Sequence, residues 1–299
     1  MAEISAALVK ELREKTNVGM MDCKKALTET NGDMEAAIDL LRKKGMAKAA
    51  AKGSRIATEG LVGAALAADG KTAALVEVNC ETDFVARNET FSHVVAAVAD
   101  LVVAKASSEE GTGDDLLALS SWEAGKTVDE SVKEAIQKTG EKIDIRRFVR
   151  YQAAAGGVLG SYIHLGGKIG VLIELQGGDA ALAKDLAMHV AASQPQFIHR
   201  DQVPSDVVEK ERDILMAQSD LQSKPENVRA KMVEGRIGKF FEQICLVDQA
   251  FVKDPGVTVK DLLAKSSASI TRFTRFGLGE GLEKKQDNFA EEVASYMKA

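Results

Sequence analysis

Aromatic residues make up only 5% of this sequence, so its cores must be built mainly from Ala, Val, Leu and Ile. Cysteine is equally sparse. Cys23, Cys80 and Cys245 are far apart and odd in number, and with no CxxC or Cys/His spacing neither a disulfide framework nor a zinc site is indicated. Reduced thiols suit a cytoplasmic protein, and Met1-Ala2-Glu3 lacks the basic and apolar regions of a signal peptide. No uninterrupted apolar run reaches the ~18 residues of a spanning helix, so no membrane role is expected. Basic excess is missing too: a net charge of −6 argues against a nucleic-acid carrier, which needs a positive face for phosphates. One local exception is the acid-free run Lys43, Lys44, Lys48, Lys52 and Arg55, which reads as a solvated linker between two domains.

What is present is the composition of an ordinary soluble protein, 45% hydrophobic and 28% charged over 299 residues, enough for one large core or two to three smaller ones. Residues 1–55 read as a three-helix unit and linker. Ile4, Leu8 and Leu12 recur at helical spacing, and the first helix runs out near Thr16-Asn17-Val18-Gly19. A second helix covers about 22–30 and stops at Asn31-Gly32. Asp33 caps a third, with Ala37, Ile38 and Leu41 inward and Gly45 as its end.

An internal repeat organises the middle of the chain. Gly60-Leu61-Val62-Gly63 matches Gly157-Val158-Leu159-Gly160, and at the same offset Val76-Glu77-Val78 matches Ile173-Glu174-Leu175 and Lys71 matches Lys168. His93-Val94 is answered by His189-Val190 in a following helix. Each copy reads as strand, turn, strand, loop, helix, which predicts two related α+β subdomains with small antiparallel sheets. The first spans 56–152, and the second spans 153–200 and 245–276. A strand at 143–151, just before the second copy begins, is assigned as that copy's third strand.

The copies disagree between second strand and helix. Copy two has the plain turn Gln176-Gly177-Gly178-Asp179-Ala180; copy one has Glu81-Thr82-Asp83-Phe84-Val85-Ala86-Arg87-Asn88. An aromatic ring and several charges are thus added to a scaffold whose sibling folds without them. Phe84 covering the edge of its own sheet is the bland alternative. Asp83 is an awkward neighbour for a core residue, however, and aromatic anchors are over-represented at interfaces, so the segment is read as a binding tip.

All four prolines, Pro195, Pro204, Pro225 and Pro255, fall in one window. It holds two helices, about 205–221 with Ser205 as N-cap and about 225–244 with Pro225 in its first turn. Their short connection, Gln222-Ser223-Lys224, predicts an antiparallel hairpin over 201–244 that projects as an interaction arm, toward a second copy of the chain or another protein. A β-like stretch from Ile270 to Phe276 precedes a C-terminal module, 277–299, in which Gly277, Gly279 and Gly281 mark a turn and Phe289, Val293 and Met297 line a last helix.

Covalent chemistry finds little support. Cys80 with His93 is the only nearby nucleophile–base pair, and Cys80 continues a buried strand pattern. His189 is explained by helix packing at least as well as by a ligand role. Gly277-Leu278-Gly279-Glu280-Gly281 lacks the Lys-Ser/Thr end of a phosphate loop. No catalytic residue, cofactor or metal site is assigned.

Several segments, in order along the whole chain, resemble bacterial elongation factor Ts: Leu8 to Arg13, Thr16 to Leu27, Glu77 to Arg87 (the most specific, with its Thr-Asp-Phe-Val-Ala-Arg core), Met188 to Ala192, Lys231 to Arg236 and Gly279 to Lys284. The resemblance implies a ubiquitin-associated-like N-terminal domain, two related α+β subdomains, an inserted helical hairpin and a C-terminal helix. It implies an exchange factor that is not an enzyme, promoting GDP release from elongation factor Tu in its GDP form. The family's intrusion motif falls on Thr82, Asp83, Phe84 and Val85, which would disturb the partner's Mg²⁺ site. Lys24, His164 and Lys284 match further contact positions. Gly140 is carried over as well, although Thr139 stands where the family has an apolar Ile. Two other classes compete: an adaptor binding through Met20 and the three-helix unit, and a thiol or metal enzyme dependent on Cys80.

Overall fold

In this computed structural model the described residues are 4–16, 18–53, 55–218 and 225–283, with side chains of 45–51 left aside. Three helices come first: α1 (Ala6–Thr16), α2 (Met20–Glu29) and α3 (Met34–Ala51). They enclose a small core of Val9, Leu12, Cys23, Ala26, Leu27, Ala37 and Leu41. Asn31 and Gly32 take positive φ and end α2, and Asp33 caps α3 by accepting the Ala36 N–H at 3.0 Å. Gly45 does not end α3, which continues to Ala51. A mid-helix glycine costs only about 1 kcal/mol against alanine, and the alanine-rich stretch after it favours helix.

The first sheet has the order β1-β2-β4-β3, from β1 (Glu59–Leu66), β2 (Thr72–Cys80), β3 (Glu110–Gly111) and β4 (Ile143–Gln152). Helices α4 (Asp83–Ala86), α5 (Glu89–Lys105) and α6 (Val128–Thr139) belong to the same stretch, and a core containing Phe91, Val98, Val102, Val132 and Phe148 fills the space under them. The second sheet, β5-β6-β9, is formed by β5 (Gly157–His164), β6 (Ile169–Gln176) and β9 (Ser269–Gly277). It carries α7 (Ala180–Ser193) and α10 (Val259–Lys265) over a core with Ile173, Leu186 and Leu246, and β7 (Ala250–Phe251) pairs with β8 (Asp254–Thr258) nearby. The fold is therefore α+β with small antiparallel sheets behind an N-terminal helical segment.

One strand assignment is overturned. Residues 143–152 pair with β2 in the first sheet, not with the second copy, whose third strand is instead β9. The repeat is otherwise visible in detail. Both third strands bulge at the same place, opposite Glu77/Val78 and Glu174/Leu175. A Cβ at Gly63 would lie 2.6 Å from Val95 on α5, and one at Gly160 would lie 2.6 Å from Ala183 on α7, so each first strand uses glycine to seat its helix. The two sheets share a core to which both repeats contribute matching positions, Val62 and Leu159, Leu75 and Leu172, Tyr151 and Phe276.

Between α7 and β7 stand α8 (Ser205–Met216) and α9 (Glu226–Ile244). Val207 packs with Phe240 and Phe241 near the base, and Leu215 packs with Val233 further out, an antiparallel arrangement. Ser205 is the first helical residue rather than the cap, with Pro204 before it and no capping side chain; Pro225 likewise stands one residue ahead of its helix. The connection at 222–224 lies outside the described residues.

His189 anchors this region. It is wholly buried; its Nδ1 accepts the Val252 N–H at 3.1 Å and its Nε2 donates to Gln249 Oε1 at 2.9 Å, while Gln249 donates to the Gln243 carbonyl in the last turn of α9 at 2.7 Å. Accepting at Nδ1 requires the neutral imidazole, and burial pushes its pKa below the ordinary histidine value. The unfolded chain therefore binds a proton that the folded one refuses. Stability should be full above about pH 6.5, and be lost as pH falls from there through the native pKa. Denaturant midpoints between pH 7.5 and 5 should show this decline, and His189→Asn should flatten it.

Candidate functional site

The antiparallel ladder between β2 and β4 ends at Cys80 opposite Ile143. Beyond it, side chains continue the same register. Glu81 Oε1 accepts the Lys142 N–H at 2.7 Å, and Glu141 takes both Thr82 donors, N–H at 2.9 Å and Oγ1 at 2.6 Å. Gly140 makes this possible: at φ 79° it closes α6 by donating to the Ile136 carbonyl and turns the chain back toward β2.

From that base rises a single helical turn, α4. The Thr82 hydroxyl caps it by accepting the Val85 N–H at 3.3 Å, and the Cys80 thiol donates to the Thr82 carbonyl at 3.1 Å. Ala86 is buried and Val85 packs against the core, so this side of the turn is fixed. Asn88 then caps α5 by accepting the Thr90 N–H at 2.8 Å. Phe84 points the other way and is 83% exposed, so it does not cover its own sheet. Asp83 is half-exposed and pairs with Arg87 one turn on, at 2.9 Å. The sibling connection has no such turn: Gly177 and Gly178 take positive φ, and Asp179 caps α7 directly.

Lys24, Gly140 and His164 stand outside the α4 turn itself. Lys24 is exposed on α2, beside the exposed Met20 and Met21. His164 ends β5, with Nδ1 3.1 Å from the Tyr162 hydroxyl and the two rings stacked. Gly140 is joined to the tip through its neighbour Glu141, and its own carbonyl accepts from Lys52. Lys284 and the apolar positions of the last helix lie outside the described residues. Among the described residues no hydrogen bond or ion pair links Lys24 or His164 to the tip.

Sequence reading missed the supports. Arg55 bonds Glu81 at 3.2 Å, and Lys142 Nζ donates to the Gly53 and Arg55 carbonyls, so part of the expected linker is tied to the base of the tip. These partners are some 26 to 89 residues apart in sequence, and no local pattern marks them. The Gly277–Gly281 segment is a turn, and its Gly279 N–H meets the carboxylate of Glu77 at 2.8 Å.

Cys80 is no activated nucleophile. It is wholly buried, and its thiol is pushed up to about 12, first by burial and then by the carboxylate of Glu141. His93 is exposed on α5, and no hydrogen bond joins the two. Among the described residues there is no group of His, Cys, Asp and Glu that could hold a metal ion, and no helix long and apolar enough to cross a membrane.

A family model described as elongation factor TS matches residues 81–280, from the base of the tip to the turn after β9. The chain belongs to the elongation factor Ts family. Family membership implies nucleotide exchange on elongation factor Tu during translation elongation, rather than catalysis in the usual enzymatic sense. The match begins where β2 ends, so it takes in Thr82 to Val85, the clamp at Glu141, both sheets' third strands and the α8/α9 hairpin.

Proposed function

We propose that the α4 turn is the part of this exchange factor that acts on the nucleotide site of elongation factor Tu. Phe84 enters an apolar pocket beside that site, and Asp83 competes with the groups that order the bound Mg²⁺. Losing the ion removes the charge clamp on the phosphates, and GDP leaves faster. The coupling is reciprocal: what the factor takes from GDP affinity, GDP takes from factor affinity, so excess GTP releases it. The observation that carries this reading is Phe84, a large apolar ring left 83% exposed on a turn whose other side is capped and packed. Asp83 is available despite Arg87, because an exposed ion pair is worth only about 0.2–1 kcal/mol.

Lys24 on the three-helix unit, Gly140, His164 at the end of β5 and Lys284 supply the holding contacts in this reading. The chain divides accordingly into 1–55, a ubiquitin-associated-like unit; 56–152; 153–200 with 245–276; the inserted hairpin at 201–244; and 277–299. The test is stopped-flow release of a fluorescent GDP from elongation factor Tu. Strong acceleration by the wild-type chain is expected, and an unchanged GDP off-rate would end this reading. Cys80→Ser retains a donor for the Thr82 carbonyl, so exchange should stay within about twofold of wild type; abolition of activity would favour thiol chemistry.

A further inference from the structure

The structure assigns Glu141 as a positioning residue for the exchange tip, an inference that rests on the tip being the acting element. The carboxylate stands opposite Thr82 in the continued β2–β4 register, outside the α4 turn itself. It receives both donors Thr82 has, the backbone N–H at 2.9 Å and the hydroxyl at 2.6 Å. That hydroxyl has a second duty, because its lone pair caps α4 by accepting the Val85 N–H. One rotamer of Thr82 serves both bonds. The direction in which the turn leaves the sheet, and with it the directions of Asp83 and Phe84, is therefore fixed by a carboxylate supplied from the far end of α6.

The support of Glu141 is itself braced. Gly140 before it is held by its own N–H to Ile136 and by Lys52 at its carbonyl. Lys142 after it is held through its N–H by Glu81 and reaches the Gly53 and Arg55 carbonyls with its ammonium group. Arg55 closes the circuit on Glu81. Such a knot is rigid because each member is bonded on two sides, and charged acceptors make its bonds stronger than neutral ones. Rigidity matters at this point for a physical reason. A wedge that must displace a metal ion and a nucleotide delivers its contacts at the barrier only if its orientation is set beforehand; otherwise binding must order it first. Glu141 touches neither nucleotide nor metal in this scheme. It acts through Thr82.

Full-length Glu141→Ala and Glu141→Gln should be compared with Asp83→Ala and Phe84→Ala in GDP release from elongation factor Tu, each titrated to saturation. Glu141→Ala should lower the saturated release rate roughly tenfold with the half-saturating concentration within about twofold of wild type, because the holding contacts elsewhere are intact. Glu141→Gln keeps one carbonyl acceptor for two donors and should fall between. Combining Glu141→Ala with Thr82→Val should cost less than the sum of the two, since both remove the hydroxyl–carboxylate bond, while only Glu141→Ala frees the Thr82 N–H and only Thr82→Val removes the cap on Val85. A purely structural role would appear instead as a lower melting temperature or folded fraction, with the saturated rate per folded molecule unchanged, and that result would overturn the assignment. If Asp83→Ala and Phe84→Ala slow release and Glu141→Ala does not, only the clamp is wrong. If all four leave the saturated rate untouched, the tip reading fails and the clamp with it.

Discussion

Phe84→Ala should slow the saturated rate of GDP release from elongation factor Tu roughly ten- to a hundredfold while leaving the melting temperature unchanged. The two halves of this expectation rest on the same number. A ring 83% exposed contributes almost nothing to the fold, so its loss leaves no cavity. If it is buried only against the partner, its transfer is worth about 1.5–3 kcal/mol there, and each 1.4 kcal/mol is a factor of ten in rate or equilibrium. Alanine keeps the helical turn, because the cap is made by Thr82 and the packing by Val85 and Ala86. Asp83→Ala should act in the same direction and also release Arg87. Phe84→Leu should retain part of the activity, since an apolar pocket accepts another apolar side chain at modest cost. A rate unchanged by Phe84→Ala would mean that the ring is a bystander and that exchange is driven from another surface.

How much of this is legible in the residues alone differs from element to element. The duplicated β-hairpin and helix can be read because two copies of one pattern check each other. The tip can be read because only one copy carries it. Pairing across the sheet cannot: β4 abuts the second copy in sequence, yet hydrogen-bonding geometry gives it to β2, while the second copy's own third strand arrives only after the α8/α9 hairpin. Alternation of apolar and polar residues sets which face of a strand is buried but carries no information about its neighbour. The same limit hides Glu141, whose bond to Thr82 spans 59 residues. A signal does exist for the sheets themselves. Glu77 and Glu174 each interrupt an apolar strand at matching positions of the repeat, and a buried carboxylate in such a run demands an internal cation.

Those carboxylates carry the second large prediction. Glu77 is 0% exposed and is bonded by Arg146 at 2.9 Å, Arg147 at 2.7 Å and the Gly279 N–H at 2.8 Å; Glu174 is 2% exposed and is bonded by Arg272 at 2.8 Å and the Ala154 N–H at 2.9 Å. The arrangement is reciprocal. Each carboxylate holds the backbone that follows the other sheet's third strand, and each arginine of the pair lies over an aromatic ring of the opposite strand, Arg147 on Phe276 at 4.2 Å and Arg272 on Tyr151 at 4.0 Å. Glu77→Ala therefore leaves two guanidinium groups in the seam between the sheets without their carboxylate, with only the Glu280 and Gly277 carbonyls to receive them, and the Gly279 N–H without its acceptor. Removing one partner of a buried pair costs about 3–5 kcal/mol, a large share of the ~5–15 kcal/mol by which a domain is stable. Chemical denaturation should show a loss of that order. Glu174→Ala should lose less, because Arg272 keeps the carboxylate of Glu109 at 3.0 Å, and Glu77→Gln should fall between by keeping acceptor geometry without charge. A loss below about 1 kcal/mol for Glu77→Ala would mean that water enters the seam and solvates the arginines. The consequence reaches function, because the turn at Gly277–Gly281 is carried by Glu77 and by Arg146, which donates to the Glu280 carbonyl at 2.5 Å. Under conditions where Glu77→Ala remains folded, its exchange activity should still fall if Lys284 makes the proposed contact, since the Gly277–Gly281 turn that precedes it would lose its tie to the sheet that bears the tip.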